Sequence, residues 1–285
     1  MKKKSLYIIA LASLSLFSCK GFLDVEPTDS IEVTSTIKTV EDAQVMINGL
    51  IRKLGSSTLY GRNLMLYGDT KGGDLTIISQ GRGLDGLYVF NQNKDNNSYS
   101  TFWSSGFNAV LQANNIINSI DALQAAGTEL DFDDAKGQAL TLRALLYFDL
   151  VRLYGKSYTD DAGSLGVPLV TDLLEDTAKP LRDKVSDVYA QIVKDLKDAE
   201  PLLSQSKNDG YVNYYTNKAI QSRVYLTMAD YDNAYSAAEE IITSQEYSLY
   251  SNSEWVESWE KPNGSESIFE ITLIKDQGDL GSGSL

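Results

Sequence analysis

Apolar residues recur along most of this chain at the three- and four-residue spacing of amphipathic helices. Val40, Ala43, Ile47, Leu50, Ile51 and Leu54 make a first stripe, and Thr39 with Asp42 three residues on gives it a capping-box-like start. Phe107, Val110, Leu111, Ile117 and Ile120 make a second. Ala139, Leu142, Leu146, Leu150 and Leu153 make a third, in a helix apolar on most sides and therefore central. Tyr189, Ile192, Val193, Leu196, Ala199 and Leu203 follow, with Ser186 as the expected cap. Two more helices, near 216–229 and 232–244, are separated by a tight Asp230-Tyr231-Asp232 turn.

The last pair carries small and aromatic residues at tetratricopeptide-like offsets: Ser222, Tyr225, Tyr231, Ala234 and Ala238, with Ser222 where Gly or Ala is usual. Antiparallel helix pairs stacked this way bury one continuous core. The fold class this implies is mainly α, a TPR-like helical repeat scaffold with long irregular loops. The periodicity breaks over 55–100, which is rich in Gly, Asn, Asp and Tyr and reads as loops with one short strand around Leu75–Ile78. Loops of this length inside a compact domain usually carry function.

At the start, Lys2, Lys3 and Lys4 precede a twelve-residue apolar run from Leu6 to Phe17. That is short of the roughly 20 residues a spanning helix needs, so it reads as a secretory signal. Leu16-Phe17-Ser18-Cys19 resembles a bacterial lipobox, with Phe17 bulkier than usual, and Cys19 is the one cysteine of the chain. The expectation is a leader over 1–18, a lipidated Cys19, and one domain over 19–285, anchored to a membrane without spanning it. Pro27 keeps the segment after Cys19 extended.

Composition narrows the chemistry. The chain has no histidine and one cysteine. Ser-His-Asp and Cys-His mechanisms, His-ligated zinc or haem, CxxC redox pairs and internal disulfides are therefore excluded. Net charge is −14, and removing a leader with three lysines and no acid takes it to −17. Such a surface repels nucleic acid. No cofactor and no catalytic group is assigned.

Several local patterns have plain readings. Gly81-Arg-Gly-Leu-Asp-Gly86 is a literal GxGxxG, but the residues after it do not form the helix a dinucleotide needs, so it reads as a loop. Asn91-Gln-Asn-Lys-Asp95 lacks the Gly and Glu of a calcium loop and reads as a polar turn. Asp131-Phe-Asp-Asp134 reads as a helix N-terminal cluster. Arg143, Asp149 and Arg152 lie on the most apolar helix, where Asp149 and Arg152 can pair.

Several blocks, in order, resemble the SusD/RagB family. They are Ser18-Cys-Lys-Gly-Phe-Leu-Asp-Val-Glu-Pro27, Trp103 with Ala113-Asn-Asn-Ile-Ile117, and Leu142-Arg-Ala-Leu-Leu-Tyr-Phe-Asp-Leu-Val-Arg-Leu-Tyr-Gly155. Gly166-Val-Pro-Leu-Val170, Val188-Tyr189 with Asp195-Leu-Lys-Asp-Ala199, the TPR-like pair and Glu266-Ser-Ile-Phe-Glu270 complete the series. Gln138 stands where the family often has an acid. Members are considerably longer, so a missing C-terminal part is expected. The resemblance implies a surface-exposed outer-membrane lipoprotein that binds a glycan, or else a peptide, and passes it to a SusC-like TonB-dependent transporter.

Aromatic faces pack on the apolar C–H faces of sugars while polar neighbours bond the hydroxyls. Tyr147, Tyr189, Tyr225 and Tyr231 lie at helical spacing and are expected in the core. Tyr60, Tyr67 and Tyr88 in the loop segment, with Asp69, Arg82 and Asn91 as hydrogen-bonding neighbours, are the candidate ligand-binding residues. Two other classes stay open: a glycosidase built on two carboxylates, and a scaffold that uses a concave helical face for a protein partner.

Overall fold

A computed structural model describes residues 37–76, 85–90, 100–174 and 177–272. Its elements in chain order are α1 (Val40–Leu54), α2 (Asn63–Gly72), α3 (Asp85–Tyr88), α4 (Ser100–Ala125), α5 (Asp133–Tyr154) and α6 (Tyr158–Asp161). They continue with α7 (Val185–Ala199), a 3-10 turn (Glu200–Leu202), α8 (Tyr214–Thr227), α9 (Tyr231–Ser244) and α10 (Trp255–Ser258). The fold is mainly helical, as the periodicity implies. Among the described residues there is an isolated bridge, Leu165 with Lys184, and no strand.

The centre is α5, packed by α7 on one side and α4 on another, with α1 and α8 also against it. Every residue from Gly137 to Val151 is buried. Tyr147 and Tyr189 are in this core, and so is Tyr225. At Gly137 the helix comes so close to the 3-10 turn after α7 that an added Cβ would lie 2.9 Å from Leu203 Cγ. Glycine there permits the close approach.

The helix starts have separate physical causes. The capping box of α1 forms as read: Asp42 N–H donates to Thr39 Oγ1 (3.1 Å), and Thr39 N–H donates to the Asp42 carboxylate (2.9 Å). Ser186 does not cap α7. That helix starts one residue earlier, and the Val185 and Ser186 amides donate to the carbonyls of Ser164 and Ala162 instead. The 162–164 turn does the work of a cap. Asp133 and Asp134 fall in the first turn of α5, where the helix dipole favours them.

The α8–α9 pair forms the TPR-like unit. Ser222 Oγ donates to the Ala234 carbonyl (2.9 Å), which explains how a hydroxyl fits where small residues are usual. Lys218 Nζ ties the pair together, 2.8 Å from Glu200 and 3.0 Å from Glu240. One expectation is corrected here. Tyr231 is 66% exposed at the first turn of α9 and is not in the core.

The 55–100 segment also differs from its reading. Residues 63–72 form a helix, and Leu75 and Thr76 are not strand; residues 77–78 lie outside the described residues. The inner face of α2 buries Asn63, Tyr67 and Thr70, one helical turn apart.

Candidate functional site

Four of the blocks that carried the resemblance, those holding Asn114, Arg143 with Tyr147, Val170 and Asp195, meet around one buried polar network. Arg143 projects from α5 and gives Asp195 on α7 two parallel bonds, Nε to Oδ2 (2.8 Å) and Nη2 to Oδ1 (2.7 Å). Its Nη1 donates to Asn114 Oδ1 on α4 (2.9 Å). Gln191 adds a bond to Asp195 (2.7 Å). The pair is almost fully removed from water, and a buried pair of this kind stands only when it is well bonded, here by two parallel bonds and by Asn114 and Gln191. Asn114 then spends its amide on the Val170 carbonyl (2.7 Å). Tyr147 Oη donates to the same carbonyl (2.8 Å) and accepts from the Val170 N–H (2.7 Å). Burial pushes the Tyr147 phenol up to about 12.

Two helices, α4 and α5, are thus bonded to Val170 of the 166–170 segment, and α7 joins them through Asp195 and Arg143. Arg182 secures the other end of that loop by donating to the Gly166 carbonyl and to the Tyr154 carbonyl. A hollow of about 550 Å³ lies between this loop and α4, lined by Trp103, Phe107, Asn108, Leu111, Pro168, Val170, Leu174 and Pro180, with Val110 behind. Trp103 is held by ring contacts to Phe107 and Tyr154, each with centroids 4.8 Å apart. The lining is largely apolar and aromatic, a surface for contact and not for bond chemistry.

A second polar group sits further along α5. Asp149 bonds Arg152 (3.1 Å), as the spacing predicts, and also accepts from Tyr60 Oη (2.7 Å). Burial raises the Asp149 carboxyl, opposed by the Tyr60 bond and by Arg152. Burial likewise holds the Tyr60 phenol well above its ordinary range.

Of the sequence-predicted ligand residues, Tyr60 and Tyr67 turn inward, while Asp69 and Tyr88 are exposed on the adjoining helices α2 and α3. Tyr60 turns its hydroxyl inward to Asp149. Tyr67 is 2% exposed, with its ring 6.4 Å from that of Phe102 and no face open to a ligand. Asp69 is exposed near the end of α2, and its carbonyl accepts the Gly73 N–H that closes the helix. Tyr88 is 41% exposed, next to Val89 and Phe90, which stand out further. Lys71 Nζ lies 5.7 Å from the Phe90 ring centre. Phe90, at a positive φ of 56°, is a residue the sequence reading missed. Cys19, Arg82 and Asn91 lie outside the described residues.

The comparisons give the family. Residues 21–226 match the SusD-like family model described as "Starch-binding associating with outer membrane". Among curated proteins, the chain is 27% identical over 258 residues to SusD-like protein P38 of Formosa agariphila, covering 88% of this chain and 48% of that one. A solved SusD superfamily protein from Bacteroides thetaiotaomicron aligns with a TM-score of 0.76 and 32% identity, over 85% of this chain and 54% of its own. A solved protein described as "Laminarin binding SusD-like protein" shares the fold, with a TM-score of 0.66 at 22% identity over 82% of this chain and 51% of its own. The chain spans about half the length of the curated relatives it matches. On the strength of the family match, which covers most of the chain and takes in the Arg143–Asp195–Val170 network, this protein belongs to the SusD-like family.

Proposed function

We infer that this chain is the helical part of a non-catalytic, cell-surface lipoprotein that binds a glycan. It passes that ligand to a SusC-like TonB-dependent transporter in the outer membrane. The observation that carries the reading is the match of residues 21–226 to a family of starch-binding, outer-membrane-associated proteins. A laminarin-binding protein of the same fold supports a neutral glucan as ligand. The exposed lip formed by Tyr88 and Phe90, with Lys71 beside it, suits the loop segment to a ligand-facing role. Cys19 supplies the lipid anchor in this reading, and several acyl chains make that attachment stable.

Three measurements test it together. Native affinity electrophoresis of the full chain in mild detergent should show retardation by a soluble neutral glucan, with no new reducing ends released. Sugar release would instead favour a glycosidase, and retention of peptides alone would favour peptide capture. Cys19→Ala should shift the protein from the membrane to the soluble fraction. Affinity purification of the tagged protein from its host should bring down a TonB-dependent barrel in equal amount.

A further inference from the structure

The carboxylates of Asp195 and Asp149 are both buried along α5, and they are bonded to different extents. Asp195 takes two parallel bonds from Arg143 and a third from Gln191. Asp149 takes one bond from Tyr60 Oη (2.7 Å) and one from Arg152 Nη1 (3.1 Å), a side chain that is 44% exposed. A charge held by one bond to a half-exposed cation is poorly repaid for its burial. A proton on Asp149 removes that charge and still leaves an oxygen for Tyr60 to bond.

The groups that face Asp149 come from four elements. Arg152 is on α5 itself, Tyr60 on the turn between α1 and α2, Arg223 on α8 and Tyr189 on α7. Both guanidiniums also lie over the Phe148 ring, 4.7 and 5.7 Å from its centre. Burial outweighs the Tyr60 bond and both cations, so the Asp149 carboxyl stands above its ordinary value.

Tyr60 joins Asp149 to the loop segment through a continuous set of contacts. Its ring meets Phe102 edge-on at 6.4 Å, and Phe102 meets Tyr67 of α2 at the same distance. Asn63, which opens α2, donates to Thr101 Oγ1 (3.1 Å). The far end of α2 carries Lys71, 5.7 Å from the Phe90 ring centre, and α2 packs on α3, which carries Tyr88.

We propose that the Tyr60–Asp149 pair is a proton-controlled fastener for the Tyr60 turn and α2, gripping harder when Asp149 is protonated and so tightening binding at the Tyr88–Phe90 lip. The effect on binding rests on the ligand-facing reading of the loop segment. Linkage sets the direction. Fastened, Asp149 is dry and keeps its proton to higher pH than when the turn lifts and water enters, so acid favours the fastened state and rising pH loosens it. A segment already in place loses less freedom on taking a ligand.

Hydrogen exchange of the full chain, read by mass spectrometry from about pH 5 to 8 and corrected for the chemical rate, tests the fastener. Protection over 55–72 should fall as pH rises, by up to about tenfold per pH unit, the limit for one proton, while 137–148 keeps its own. Asp149→Asn keeps the shape and an acceptor for Tyr60 without the charge, and should hold the acid-side protection at every pH. Tyr60→Phe should lower protection throughout. Titration with laminarin and with soluble starch should show affinity weakening over the same range in the wild type and staying level in Asp149→Asn. Wild-type protection that ignores pH, or that falls as steeply in Asp149→Asn, would overturn the fastener. Protection that follows pH while glucan affinity does not would overturn its hold on the ligand. A folded wild type that binds no glucan at any pH would overturn the glycan-binding reading, and the exchange data would still decide the fastener.

Discussion

Along α5, the Arg143 guanidinium gives three bonds to acceptors on two other helices. At the 250–272 corner, by contrast, Glu266 and Glu270 each bond a single backbone amide, and two indoles stand open. Both regions hold carboxylates and treat them in opposite ways. Where water is absent, each polar atom needs a partner, and its loss leaves a charge stranded. Where water is present, a carboxylate bonded through one oxygen costs little, because water serves the other. Most of the family blocks that the structure describes fall around the first region, and the second carries the Glu266–Glu270 block.

The comparison is broken most severely at Arg143. Arg143→Met strands Asp195 in the core, and the expected loss is about 3–5 kcal/mol, a fall in melting temperature of roughly 10 °C or more. Calorimetry checks it; replacing both partners with apolar residues of similar volume should recover much of the loss. Next comes Tyr147→Phe, which deprives both backbone groups of Val170 of their shared partner. A cost of about 1–3 kcal/mol is expected by chemical denaturation, with faster hydrogen exchange over 166–170. Tyr60→Phe should cost a similar or smaller amount, because Asp149 keeps Arg152. Ser222→Ala is the smallest, within about 1 kcal/mol, since it removes a partly buried bond at a site that suits a small side chain.

Alkaline pH should sharpen the contrast. Burial lifts the phenols of Tyr147 and Tyr189 from 10.0 to about 12 in the folded chain. Folded pKa values above the unfolded ones mean that this stability is fully present below pH 10 and is lost as pH rises through about 12. Melting temperatures recorded across that range should fall, and Tyr147→Phe should flatten part of the slope.

Much of the scaffold was legible because its signals are local. Stripes at helical spacing and the Thr39–Asp42 capping box marked the helices, and Ser222, Tyr225 and Ala234 marked the TPR-like pair. The α2 helix was missed because Asn63–Gly72 has weak apolar periodicity, contains glycines and lacks a side-chain cap. Had it been seen, the Asn63, Tyr67, Thr70 spacing would have turned Tyr67 inward. Tyr60 points to Asp149, 89 residues away, and Arg143 to Asp195, 52 away. No sequence pattern joins such distant partners. Exposure of Trp255 and Trp259 was equally invisible, since spacing alone does not say which face of a short helix is covered.

The measurement closest to the central claim is a calorimetric titration of the full chain with a neutral glucan, run beside an anionic glycan of similar length. The account predicts saturable binding of the first and none of the second. A folded protein that binds neither, or that prefers the anionic glycan, would contradict it.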